Sequence, residues 1–168
     1  MVLLPVLIFP ACMIVAALTD LCSMTIPNRL QLALAGGFVL AALSLGLPLP
    51  VLGLHLATGA LMLLLTFGCF AAGWMGGGDA KLIAATALWL GPTTALADYA
   101  MAATLYGGIL TLLLLLARAL LAPTTGIVFL DRLLTKTVGC PYGIALGLAG
   151  LRVFADTPYA EALAATFA

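Results

Sequence analysis

Long apolar runs dominate the 168-residue chain, broken at short intervals by proline, glycine and a few charges. A lipid-spanning helix needs roughly 20 mostly apolar residues, and backbone in lipid must satisfy its own hydrogen bonds. On that measure the pattern predicts six helical spans, near residues 2–22, 30–47, 51–73, 80–97, 99–121 and 139–155. Punctuation supports the divisions. Pro27-Asn28 separates the first two spans, Pro48 and Pro50 the next two, and Gly76 to Gly78 the third and fourth. Gly91-Pro92 falls late in the fourth and can end it early, leaving Thr93 to Asp98 as a loop. Between about 123 and 138, Ile127, Val128, Leu130, Leu133 and Leu134 recur near helical spacing beside Asp131, Arg132 and Lys136. That suits a short amphipathic helix on the membrane interface. The expectation is a single all-α domain over residues 1–168, a polytopic integral membrane protein in the lipid bilayer.

Composition reinforces this: 65% hydrophobic and 7% charged side chains cannot clothe a water-soluble surface. A net charge of zero and no basic stripe argue against nucleic acid, which is held by clustered Lys and Arg. The first run carries no basic residues ahead of it, so it is expected to remain attached as a helix rather than leave as a signal peptide. Arg29, Lys81, Arg118, Arg132 and Lys136 all fall on one face of a six-span arrangement, and only Arg152 falls near the other. Basic loops favour the cytoplasm. Both termini are therefore expected outside, with Asp98, Asp156 and Glu161. Cys12, Cys22, Cys69 and Cys140 lack the paired spacing of a zinc site and read as small packing residues; no metal or cofactor is expected.

Two acids stand out against this background. Asp20 ends the first apolar run, and Asp79 closes Gly76-Gly77-Gly78-Asp79. A carboxylate at the centre of a bilayer helix costs about 2.5–3.5 kcal/mol, so acids at membrane depth point to function. The topology, drawn without reference to them, brings both to the cytoplasmic ends of their helices. Two carboxyl groups held close cannot both ionise easily and share a proton: one serves as general base on a water, the other as general acid at a carbonyl. That is the chemistry of peptide hydrolysis. Gly76 and Gly78 would let an extended substrate approach the main chain. A glycine-rich turn whose Asp79 simply caps the next helix explains the same residues equally well. Asp131, beside Arg132, reads as a surface charge.

Other residues have two readings each. Lys81 either favours an ionised carboxylate or meets substrate, or else snorkels to fix topology. Pro27 and Asn28 end one span and open the next, and can also shape the site. Tyr142, in Pro141-Tyr142-Gly143, orients an acid or substrate, or belongs to an interfacial belt. Gly143, Gly147 and Gly150 suit close helix packing. His55 reads as interfacial, and Trp89, Tyr99 and Tyr106 as an outer aromatic belt. A small proton-coupled transporter using the same acids is the rival reading, but the sequence lacks internal repeats and mid-membrane acids.

Asp20 with Ile26-Pro27-Asn28, then Gly76-Gly77-Gly78-Asp79-Ala80-Lys81-Leu82, then Pro141-Tyr142-Gly143 together resemble the prepilin leader peptidase family of G-x-G-D membrane aspartyl proteases. The resemblance implies cleavage, after a Gly on the cytoplasmic side of a bacterial inner membrane, of the basic leader of type IV pilin or pseudopilin precursors. It carries the family's two catalytic aspartates onto Asp20 and Asp79. In size the chain is most similar to short, peptidase-only members that serve tight-adherence or Flp pili. Bifunctional members have a large cytoplasmic loop with paired cysteines; here only Leu21 to Arg29 follows Asp20, so N-methyl transfer is not expected. Leu21 to Thr25 is also less basic than is usual in the family. Because the precursor's leader is followed by an apolar helix, that helix could lie against the bundle while the leader stays in water.

Overall fold

The structure, a computed structural model, describes residues 3–164, and among them it is all helical. The expected start of the first span at residue 2, and the chain ends placed outside, fall beyond the described residues. Eight helices follow in order: α1 (Leu3–Ser23), α2 (Asn28–Ser44), α3 (Leu49–Ala71), α4 (Gly77–Leu90), α5 (Thr94–Leu120), α6 (Val128–Leu134), α7 (Gly143–Phe154) and α8 (Pro158–Ala164). The proline and glycine punctuation lands in the connections. Pro27 precedes α2, Pro48 precedes α3 and Gly76 precedes α4, each in extended backbone that closes one helix and opens the next.

Three helices are long and apolar enough to cross a membrane: Leu4–Ser23, Leu49–Ala71 and Thr94–Leu120. The other three expected spans are shorter. At 17, 14 and 12 residues, α2, α4 and α7 extend about 26, 21 and 18 Å, against about 30 Å of hydrocarbon. The long helices expose most of their apolar surface, whereas α4 and α7 are the buried ones. The fourth helix does end early, at Leu90, because Gly91 turns the chain at φ 63°, and a Cβ there would strike the His55 ring at 2.7 Å. Residues 94–98, allowed for as a loop, instead form the first turn of α5. In the 123–138 connection the amphipathic segment is a helix of seven residues. The short α8 was not anticipated, although Pro158 at its first position is a common helix start.

In the packing, α7 lies between α1 and α5, α3 lies on α4, and α2 joins α1 to α4. Phe9 stacks on Phe154 at 5.0 Å and meets Trp89 at 5.3 Å, and Tyr159 of α8 closes on Trp89 from another side. This overturns the outer aromatic belt for two of its members: Trp89 is 1% exposed and Tyr99 2%. The Trp89 N–H can be interior because it donates to the Leu34 carbonyl at 2.8 Å. His55 is likewise interior rather than interfacial, stacked on Phe38 with a ring nitrogen 2.9 Å from the Leu88 carbonyl. The Trp89 N–H and the His55 Nδ1 each have a backbone partner, which removes the cost that would otherwise drive these rings to the interface. Of the cysteines, Cys12 is buried in the core and Cys22 is exposed.

Candidate active site

Four segments meet at one end of the bundle. The end of α1 carries Asp20, the α3–α4 turn leads to Asp79, the α1–α2 turn carries Ile26 to Asn28, and the start of α7 carries Pro141 to Gly143. Asp20 and Asp79 line the same cavity of about 720 Å³, together with Met24, Gly76, Cys140 and Tyr142. Asp79 lies near enough to Asp20 to feel its charge.

Asp20 is 6% exposed, and its Oδ2 accepts the Gly143 N–H at 2.7 Å. This bond joins positions 123 residues apart and fixes the carboxylate at the first turn of α7. That turn's amides have no helical acceptor of their own, so a carboxylate is a natural partner. Gly143 is needed for the approach, since a Cβ there would lie 2.8 Å from the Asp20 Cβ and 2.9 Å from Oδ2. The sequence places Gly143 both in close helix packing and, with Pro141 and Tyr142, among the supporting residues of the site; its amide holds Asp20.

Asp79 occupies the first turn of α4, three residues after the N-cap Gly76, and its carboxylate turns back toward the Gly76 amide. That is the place of a capping-box acid. The capping reading and the active-site reading therefore describe one residue, because the group that faces the helix end also faces the cavity. Gly78 gives the α1–α2 turn room, for its missing Cβ would sit 3.2 Å from the Ile26 Cβ.

Two tethers hold this corner. Lys81 Nζ donates to Asn28 Oδ1 at 2.9 Å, linking α4 to the start of α2. Lys81 is thus engaged with Asn28 rather than with either acid. The Gln31 side-chain amide lies among the carbonyls of Pro27, Asn28 and Gly78. Gln31 was missed in the sequence, yet one buried amide in an otherwise apolar helix is a visible signal. Behind α4, Thr66 donates to the Ala80 carbonyl at 3.0 Å. An exposed hydrogen bond contributes about 0.5–1.5 kcal/mol. Lys81→Met and Asn28→Ala are accordingly expected to lower thermal stability in detergent by a few degrees at most each, with the double variant no less stable than the weaker single one. Melting temperatures of the four proteins test this; additive losses would separate the two side chains.

Pro141 is buried, and Tyr142 follows it as the N-cap of α7. The Tyr142 hydroxyl donates to the Ala103 carbonyl at 3.3 Å, and its ring fills the space left by Gly107, where a Cβ would overlap it. So the hydroxyl serves the α5–α7 contact, while the ring walls the cavity. Met24, which also lines the cavity, has φ 55°, an unusual value for a residue with a side chain, and it too escaped sequence reasoning. Trp74, 80% exposed, stands on the cavity rim. Asp131 lies apart: it accepts from the Thr125 hydroxyl and amide at 2.7 Å each and from the Gly126 amide at 3.2 Å. The Thr125 hydroxyl, with these amides, holds its carboxyl below the usual range, as for a loop cap.

Two carboxyl groups at one cavity, one fixed by a backbone amide and one at a helix start, can together take a proton from water and deliver one to a leaving amine. No curated protein and no solved structure matches the chain. The model of the type IV leader peptidase family matches residues 7–127, which include both acids and the tethers and stop short of Pro141. With that match over most of its length, and with two acids meeting at one cavity, the chain belongs to the type IV leader peptidase family.

Proposed function

We propose that the protein is an intramembrane-type aspartic endopeptidase that removes the cytoplasmic leader of type IV pilin-like or pseudopilin precursors after a Gly. Asp20 and Asp79 share a proton and activate one water. The observation that carries this reading is the shared cavity of Asp20 and Asp79 in a chain of peptidase family. Water enters between the carboxyls, loses a proton to the ionised one and attacks the scissile carbonyl. The protonated partner supports the developing oxyanion and then passes its proton to the leaving nitrogen. Asp20, held by Gly143, gives this step a fixed reference; Asp79 sits on a turn of glycines that leaves room for an extended strand.

All six apolar helices belong to the membrane domain in this reading, with the three short ones completed by their neighbours and by interfacial residues. The acids then face the cytoplasm of a bacterial inner membrane, and both termini face out. With only Leu21 to Pro27 between Asp20 and the second helix, the protein is a peptidase without N-methyl transfer. A transporter is less well supported, because the acids lie at one end of the bundle rather than midway through it. Membranes containing the protein and a precursor are expected to show a bell-shaped dependence of cleavage rate on pH, reporting the apparent constants of the pair. A rate that climbs without a maximum would reject shared-proton catalysis.

A further inference from the structure

A second cavity, of about 520 Å³, adjoins the first. Met75, Ile83 and Tyr142 line both, so the two are neighbours with these side chains as their common wall. The second is mainly apolar and runs between α3 and α5, over α4 and α7. In the bundle α3 is packed on α4, and α5 on α7, which leaves the groove open at the side.

Its α5 wall is made of small residues. Thr93, Ala97, Ala100 and Thr104 follow at helical spacing, and the last three are exposed in helix α5. In a membrane, such a stripe allows another helix to approach closely. The groove also contains Tyr99, 2% exposed, whose hydroxyl has no hydrogen-bond partner; Thr86 nearby gives its own proton to Leu82 without completing a bond to Tyr99. A buried hydroxyl left unpaired is unfavourable, and an occupant with an exposed polar atom relieves it. From Thr93 to Thr104 the wall extends about 16 Å at 1.5 Å per residue, enough for about eleven residues of a facing helix.

We infer that this groove seats the apolar helix that follows the leader in the precursor, packed on the Thr93–Ala97–Ala100–Thr104 face, with the scissile segment passing Tyr142 into the dyad cavity. This rests on the peptidase reading and adds where the membrane part of the substrate docks. Adjacency to the dyad cavity, across the shared Met75, Ile83 and Tyr142 wall, favours that occupant over a second copy of the chain or a lipid. Backbone entering from lipid must stay helical until protein supplies its hydrogen bonds, so unwinding is confined to the Tyr142 end, beside the acids. The groove thereby sets the position of the cut by the register of the seated helix.

The test uses the full-length protein in membranes with a co-expressed precursor. Ala100→Phe fills the groove without touching the dyad. It is expected to slow cleavage of the intact precursor about tenfold or more, while a soluble peptide spanning the cleavage site, without the apolar helix, is cut at the parental rate. Equal loss on both substrates, or no loss on the precursor, overturns the proposal. Binding is read separately from chemistry in the Asp79→Asn protein, with a photoreactive benzoylphenylalanine at position 100 or, as a control, at Leu105, exposed on α5 but outside the groove. Crosslinks from position 100 to the precursor's apolar helix, absent from position 105, support the seat. They do so even if the parental protein fails to cut, an outcome that would sink the peptidase reading alone. Crosslinks only between two copies, only to lipid, or equally from both positions overturn it.

Discussion

Asp20→Asn and Asp79→Asn are each expected to abolish processing of a co-expressed precursor while the protein stays in the membrane at parental level. Asparagine keeps the shape of aspartate and one acceptor oxygen. At position 20 that oxygen still receives the Gly143 N–H, so the α1–α7 junction is preserved. At position 79 it still faces the Gly76 amide at the start of α4. What is lost is the ability to take up and release a proton. Positioned acid–base catalysis contributes about 10²–10⁴-fold for each group, and the two groups here act on one water. Losing either should therefore cost nearly as much as losing both, since neither half-reaction proceeds alone. The readout is the ratio of uncut to cut precursor on a gel, together with the amount of each variant in the membrane fraction. Full cleavage by one of the single variants would remove that acid from the mechanism.

The fold was legible wherever the signal was local. Apolar runs and their proline and glycine breaks marked α1, α2 and α3 to within a few residues, and the pattern of basic residues brought Asp20 and Asp79 to the same end before any packing was known. The turn into α5 was harder to read. Gly91-Pro92 reads as a stop, and it is one, but the next helix begins at once because Thr93 is extended and Thr94 can follow directly. Inside-versus-outside placement was misread at Trp89, Tyr99 and His55. A helix apolar all round gives no polar stripe to orient it, so the side on which these rings fall is decided by partners on other helices, Leu34 and Phe38 among them. The site divided in the same way. Both candidate acids and the glycine turn stood out by residue type, with a plain helix cap left as an equal reading of Asp79. The Gly143–Asp20 bond, the Lys81–Asn28 tether and the Tyr142 ring over Gly107 join segments far apart in sequence, and no local period announces them.

Gly143→Ala is the sharpest test of how Asp20 is held. The added methyl retains the backbone N–H but would lie 2.8 Å from the Asp20 Cβ, closer than two such carbons come. Neither partner can yield freely: Asp20 is in the last turns of α1, and Gly143 follows the buried Pro141 at the start of α7. Relief comes by rotating the carboxylate off the amide or by parting the two helices there, a misfit of about 1–3 kcal/mol. Either movement takes Asp20 out of register with Asp79. Cleavage is expected to fall about 5- to 150-fold in kcat, as that energy implies, with precursor binding retained. Gly147→Ala provides the contrast. Its methyl would press on the Met13 backbone carbonyl at 2.7 Å, one turn further along the same α1–α7 contact, so it should lower thermal stability in detergent and leave the kcat of the surviving folded protein near parental. Gly68→Ala, where a Cβ meets nothing within 4 Å, controls for the glycine change itself. If Gly143→Ala cuts at the parental rate, or loses stability in the manner of Gly147→Ala without a specific loss of kcat, then the Gly143 amide is a packing contact and Asp20 is positioned by something else.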